Sequence, residues 1–135
     1  MTIPFGVFVP QGWRLDLVDI SDPVEKYEAM TRVARVAEET GFDSIWLYDH
    51  VLTVPTIELE TTFECWMSTA GLSRDTERIK VGQMVTCNGY RNPALLAKMA
   101  STVDVYEPWS PPLWAWRRLV RGRVACVWLR LPAAP

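Results

Sequence analysis

Residues 78–105 read RIKVGQMVTCNGYRNPALLAKMASTVDV, and they decide the fold. Ile79, Val81 and the pair Met84 and Val85 are strand formers, with Gly82 among them allowing a close approach. TCNGYRN at 86–92 then breaks the apolar run with loop-forming residues that carry hydrogen-bonding groups. Asn92 and Pro93 open a helix: asparagine caps, and proline at the first helical position gives up an N–H that has no helical partner. Leu96, Met99, Ala100 and Val103 follow at i, i+3, i+4 and i+7, one apolar stripe. A polar loop leaving the C-terminal end of a buried strand is where α/β proteins place their chemistry.

Two similar units precede it. PFGVFVP at 4–10 predicts a first strand, and a polar loop over 11–22 contains Trp13 and Leu15. Asp22, Pro23 and Glu25 supply an N-cap, a first-turn proline and a glutamate at the third helical position. Tyr27, Met30, Ala34 and Ala37 share one helix face, while Glu28 with Arg32 and Arg35 with Glu39 have i,i+4 spacing on the other. Gly41 ends that helix where a left-handed residue is wanted. FDSIWLY at 42–48 carries Ile45, Trp46 and Leu47 in one run, which predicts a strand covered on both faces, ending in Asp49 and His50. After a loop to residue 60, the capping-box spacing of Thr61 and Glu64 predicts a helix through Trp66, Met67 and Ala70 to Leu72. Residues 73–77 lead to the strand at Ile79. The order βαβαβα makes this an α/β chain whose strands are parallel and joined by right-handed crossovers. A doubly wound sheet and the opening of an eight-fold barrel look alike at this level.

At 135 residues and 49% hydrophobic composition the chain fits one ordinary globular domain. A formal charge of −2 argues against nucleic acid as the main partner. Cys65, Cys87 and Cys126 are widely spaced, with neither disulfide nor zinc-site spacing, so no metal site is expected and a reducing compartment fits best. The N-terminus lacks the features of a signal peptide, and no run reaches the roughly 20 apolar residues of a membrane span. A cytoplasmic location is therefore expected.

Residues 106–135 differ in kind, and 1–105 and 106–135 read as separate segments. The tail holds four of seven tryptophans, half of the ten prolines and five arginines against one acid, Glu107. Three readings compete: a basic Trp-rich helix over 113–131 at a membrane surface, a short strand over 124–131 on the sheet edge, or a frameshifted end. The residues favour the third, because capping, periodicity and turn chemistry stop agreeing with one another there.

The first 105 residues resemble the N-terminal part of the luciferase-like monooxygenase superfamily, most of all its branch that uses the deazaflavin coenzyme F420. The resemblance rests on GVFVPQG at 6–12, AEETGFDSIWLYDH at 37–50, RIKVG at 78–82 and TCNGYRNPALLAKMASTVDV at 86–105. It implies the first three βα units of a TIM (β/α)8 barrel, with a cofactor ring at the C-terminal ends of the strands. Two departures stand out. Gly89 occupies a place where proline is common, and YEPWSPPLWAW replaces a Gly-rich segment that opens the next strand. The later strands and the phosphate-holding loops of such barrels are thus expected to be missing.

His50, beside Asp49, reads from its neighbours alone as a loop histidine paired to an adjoining carboxylate. The resemblance implies instead that the pair stands by the cofactor ring in a catalytic part, where an imidazole bonds to the ring or moves a proton. Met84 and Val85 read as a strand end; the resemblance implies a bulged, non-prolyl cis peptide behind the ring. Thr86, Cys87 and Asn88 offer polar groups to the ring's edge, although Cys87 has no adjacent base and reads as packing. Arg91 is either a contact for an anionic cofactor tail or a solvated arginine. Trp13 is a candidate substrate-pocket wall, and Trp46 and Trp66 are candidate core. The implied function is an N-terminal fragment of an oxidoreductase that uses F420, or FMN as the alternative, for hydride transfer with a small organic substrate. An inactive truncated product or a non-enzymatic interaction module is the other reading. Unpaired sheet edges, with Ile45, Leu47 and Val85 uncovered, predict marginal stability, or rescue by self-association through the edges or by the Trp-rich tail folding over the apolar face.

Overall fold

The structure, a computed structural model, describes residues 3–106; the readings of the tail fall outside the described residues. Strands β1 (Gly6–Phe8), β2 (Ser44–Leu47) and β3 (Lys80–Gln83) alternate with helices α1 (Pro23–Glu39), α2 (Cys65–Asp75) and α3 (Pro93–Tyr106). The strands form one parallel sheet in the order β1-β2-β3, with Val7 opposite Ile45 and Ile45 opposite Val81. Right-handed crossovers that always step the same way put every helix on one side of the sheet. Residues of all three helices accordingly share one core with Ile45, Leu47 and Val81. The order β1-β2-β3 with every helix on one side is that of the opening units of a barrel, and one half of a doubly wound sheet shares it.

Local chemistry explains the elements. The Asp22 carboxylate accepts from Val24 N–H at 3.0 Å, and Gly41 leaves α1 at φ +89°. Met30 and Ala34 are wholly buried and Ala37 nearly so. The same stripe also carries two charges. Lys26 is buried and pairs with Glu60, whose carboxyl is held low by that bond and by the N–H of Thr61. Glu38 accepts from the backbone N–H groups of Arg78 at 2.6 Å, Ile79 at 2.7 Å and Glu77 at 3.1 Å, tying the end of α1 to the start of β3. The i,i+4 pairs expected on the wet face do not close among the described residues; Arg35 donates instead to the Asp75 carbonyl at 3.1 Å. Tyr27 reaches Asp75 at 2.9 Å, and burial together with that carboxylate pushes its phenol up to about 12.

Two expectations are corrected in α2. Its N-cap is Glu64, whose carboxylate accepts from Met67 N–H at 2.6 Å, rather than Thr61. Met67 points to solvent while Trp66 enters the core, and the helix continues to Asp75. Asn92 caps α3 as expected, accepting from Ala94 N–H at 2.9 Å.

Strand β2 is not evenly covered either. Ile45 and Leu47 face the helices and are fully buried, contrary to the expectation that they lie open, and each such burial contributes about 1.5–3 kcal/mol. Trp46 is half-buried on the opposite face. A Cβ at Gly82 would lie 2.8 Å from its indole, and one at Gly6 would lie 2.4 Å from its Nε1. The close approach that Gly82 allows is therefore to an indole. Toward the C-terminal rim, Phe8 and Met84 are partly exposed and Val85 is 73% exposed, so of the three residues expected to be uncovered only Val85 is.

Candidate functional site

The C-terminal ends of β1, β2 and β3 are drawn together by long-range bonds. Met84 N–H donates to the Leu47 carbonyl at 2.7 Å, continuing the β2–β3 pairing past the strand. Gln11, 1% exposed, uses its amide to bridge three segments. Its Nε2 donates to the Tyr48 and Phe63 carbonyls at 3.0 and 3.2 Å, and its Oε1 accepts from Tyr48 N–H at 2.7 Å. Asp16 accepts from the N–H groups of Gln11 and Gly12, closing the turn after β1. Gly12 has φ +89°, and a Cβ there would sit 2.0 Å from the Thr61 carbonyl oxygen. Gly12→Ala is therefore expected to lower stability by about 2–4 kcal/mol, combining a left-handed residue with backbone overpacking. Urea denaturation checks this; an unchanged midpoint would contradict the arrangement.

That turn carries Trp13 to the rim. Its indole lies flat on the His50 imidazole, with ring centroids 4.3 Å apart and 5° between planes. Tyr48 tilts against Trp13 at 4.6 Å and stacks on Phe8 at 4.4 Å. His50 is half-buried and, among the described residues, has no hydrogen-bond partner in the protein. The reading of it as paired to a neighbouring carboxylate is thus corrected.

Asp49 is committed elsewhere. Its Oδ2 accepts from Arg91 Nη1 at 2.5 Å and from Cys87 N–H at 2.8 Å, and its Oδ1 accepts from Arg91 Nη2 at 2.8 Å. Arg91 also pairs with Glu64, the cap of α2. The Asp49 hydrogen bonds raise the guanidinium's pKa, burial opposes the rise, and Glu64 adds to it. Three regions thus meet at Arg91: the end of β2, the β3–α3 loop and the start of α2. Behind them Cys65 is buried, and burial followed by the Asp49 and Glu64 charges pushes its thiol up, which makes it inert. Of the expected pair, Asp49 anchors the loop, and His50 stacks on Trp13 without a protein hydrogen bond among the described residues. Arg91 is neither solvated nor open to a second anion on its Asp49-bound side.

The peptide bond between Met84 and Val85 is cis. Both side chains are exposed, forming an apolar ledge at the end of β3. Beyond it, Thr86 is half-buried and Asn88 exposed, with no protein hydrogen bond on either side chain among the described residues. Cys87 contributes its N–H to Asp49, and its thiol is free. Gln11 and Tyr48 carry no mark in the sequence that would make them site candidates, and Glu64 is marked there only by its capping-box spacing from Thr61.

Residues 3–106 match the family profile described as luciferase-like monooxygenase. The chain belongs to that family. Among solved structures, this luciferase-like chain is similar to the oxygenating constituent of 3,6-diketocamphane monooxygenase from the CAM plasmid of Pseudomonas putida. That protein is a type II Baeyer–Villiger monooxygenase in complex with FMN; identity is 17% and TM-score 0.61, over 78% of this chain and 27% of that one. It is also similar to an F420-dependent secondary alcohol dehydrogenase in complex with an F420–acetone adduct, at 23% identity and TM-score 0.55, over 80% of this chain and 30% of the other. The shared fold is that of the opening βα units, and the luciferase-like chain spans less than a third of either structure's length. No helix among the described residues is long and apolar enough to cross a membrane.

Proposed function

We propose that residues 3–106 build part of the cofactor mouth of a flavin-type oxidoreductase, with coenzyme F420 as the first candidate and FMN as the second. The observation that carries the reading is that the exposed Met84 and Val85 and an imidazole free of protein hydrogen bonds among the described residues lie at the same C-terminal end of the sheet, where Met84 N–H meets the Leu47 carbonyl. A planar tricyclic ring needs a flat apolar support and polar groups at its edge. Met84 and Val85 offer the first; His50, Thr86 and Asn88 offer the second, so the residues present fit the group. When bound, such a cofactor supplies two-electron hydride transfer with a small organic substrate. The chain's own part is to bind and orient the ring and, at His50, to hold or move a proton near its edge. Arg91 and Asp49 serve by fixing the loop on which Thr86 and Asn88 stand.

Among the described residues the outer edges of β1 and β3 have no strand partner, which supports a second reading, a non-enzymatic module that associates with another chain through them. Titration of the full chain with F420, and separately FMN, followed by cofactor fluorescence, separates the two. Saturable binding that weakens about threefold to tenfold in His50→Ala, the loss of one hydrogen bond, is expected. A folded chain that binds neither cofactor would contradict the proposal and leave the interaction module.

A further inference from the structure

Histidines in functional sites are usually oriented by a hydrogen bond from one ring nitrogen to a carboxylate or carbonyl. His50 has a carboxylate as its neighbour in sequence, yet Asp49 bonds to Arg91 and to the Cys87 N–H and none of its bonds goes to the imidazole. What fixes the ring is the face-to-face stack with Trp13, 4.3 Å between centroids and 5° from parallel. The indole is itself strapped on both sides of the histidine. Upstream, Gln11 bonds to both the N–H and the carbonyl of Tyr48; downstream, the Trp13 carbonyl accepts from Val54 N–H at 2.8 Å. Tyr48 closes against the indole from the side.

We propose that Trp13 is a positioning residue for His50. Its indole clamps the imidazole plane so that both ring nitrogens stay unengaged and available at the rim, taking over the task that a carboxylate performs elsewhere. This goes beyond the candidate part of Trp13 as a substrate wall, since one indole face is already covered by His50. It rests on the cofactor reading of the same mouth for its consequence, but not for its geometry.

His50 is the only histidine in the chain, so its imidazole C–H signals in a proton NMR spectrum of the full chain belong to it alone. Without any cofactor, those signals are expected upfield of free histidine, with nuclear Overhauser contacts to indole protons. Trp13→Leu is expected to return them to the free position, and Trp13→Phe to keep an upfield shift. Signals at the free position in the native protein would overturn the clamp whatever binds there. In F420 titration, Trp13→Leu is expected to weaken binding about threefold to tenfold and Trp13→Phe to recover most of it. Trp13→Leu in a His50→Ala background is expected to add nothing further. Additive losses would mean that Trp13 touches the ligand itself and would overturn the positioning role. Absence of F420 binding by the native chain would strike the cofactor reading alone, and the NMR result would still decide the clamp.

Discussion

Arg91→Met is expected to destabilise the full chain by about 3–5 kcal/mol, read as a lowered urea midpoint. The side chains of Arg91 and Asp49 are only 9% and 2% exposed, so their pairing takes place largely out of water. Removing the guanidinium strands the Asp49 carboxylate, which then keeps only the Cys87 N–H among its three bonds. A buried charge left without its partner costs far more than the net worth of the intact pair, because its desolvation is no longer offset. The cost is expected to fall partly away in Arg91→Met combined with Asp49→Asn, since the second change removes the stranded charge. A single-variant loss under about 1 kcal/mol would mean that the three-way junction is a surface ion pair.

Glu38→Ala is expected to cost about 3 kcal/mol or more. One carboxylate accepts from three consecutive backbone N–H groups, those of Glu77, Arg78 and Ile79, and its removal orphans donors where β3 begins. Hydrogen bonds to a charged acceptor contribute about 1.5–3 kcal/mol each and are not fully additive. Burial alone would raise the Glu38 carboxyl; the N–H groups of Arg78, Ile79 and Glu77, with the Arg78 charge, outweigh it and hold the carboxyl below its usual value. The sign follows. Stability from a lowered carboxyl is fully present above the unfolded value of about 4.3 and is lost as pH falls through the folded one. Glu38→Gln should therefore flatten the acid side of a plot of urea midpoint against pH. An equal acid slope in native and Glu38→Gln chains would contradict the assignment.

Local signals carried most of the fold. Asp22 and Asn92 cap their helices, Gly41 adopts the left-handed region, and the stripes of α1 and α3 enter the core, because each depends on neighbours within a few residues. The choice between doubly wound sheet and barrel opening is made by the likeness to the luciferase-like structures, since three strands in the order β1-β2-β3 belong to either and no local pattern separates them. Where local rules misled, a distant partner had intervened. Glu64 caps α2 while also meeting Arg91, and Trp46 turns away from Ile45 and Leu47 into room left by Gly6 and Gly82. Lys26 and Glu38 lay on the apolar stripe of α1, four residues before and eight after Met30, and charges on a stripe are a signal that a sequence reading can use. Gln11 had no such mark, since its three contacts lie 37 and 52 residues away. His50, Met84, Val85, Thr86 and Asn88 do gather at one rim, whereas Asp49 and Arg91 bind each other beneath it.

The most direct test is a map of amide shifts in the isotope-labelled full chain as F420 is added. The largest changes are expected on residues 49–50 and 84–88, together with the His50 imidazole. Changes centred on the opposite end of the sheet, near Gly6, Ser44 and Lys80, or on the exposed side of α3, would contradict the cofactor reading.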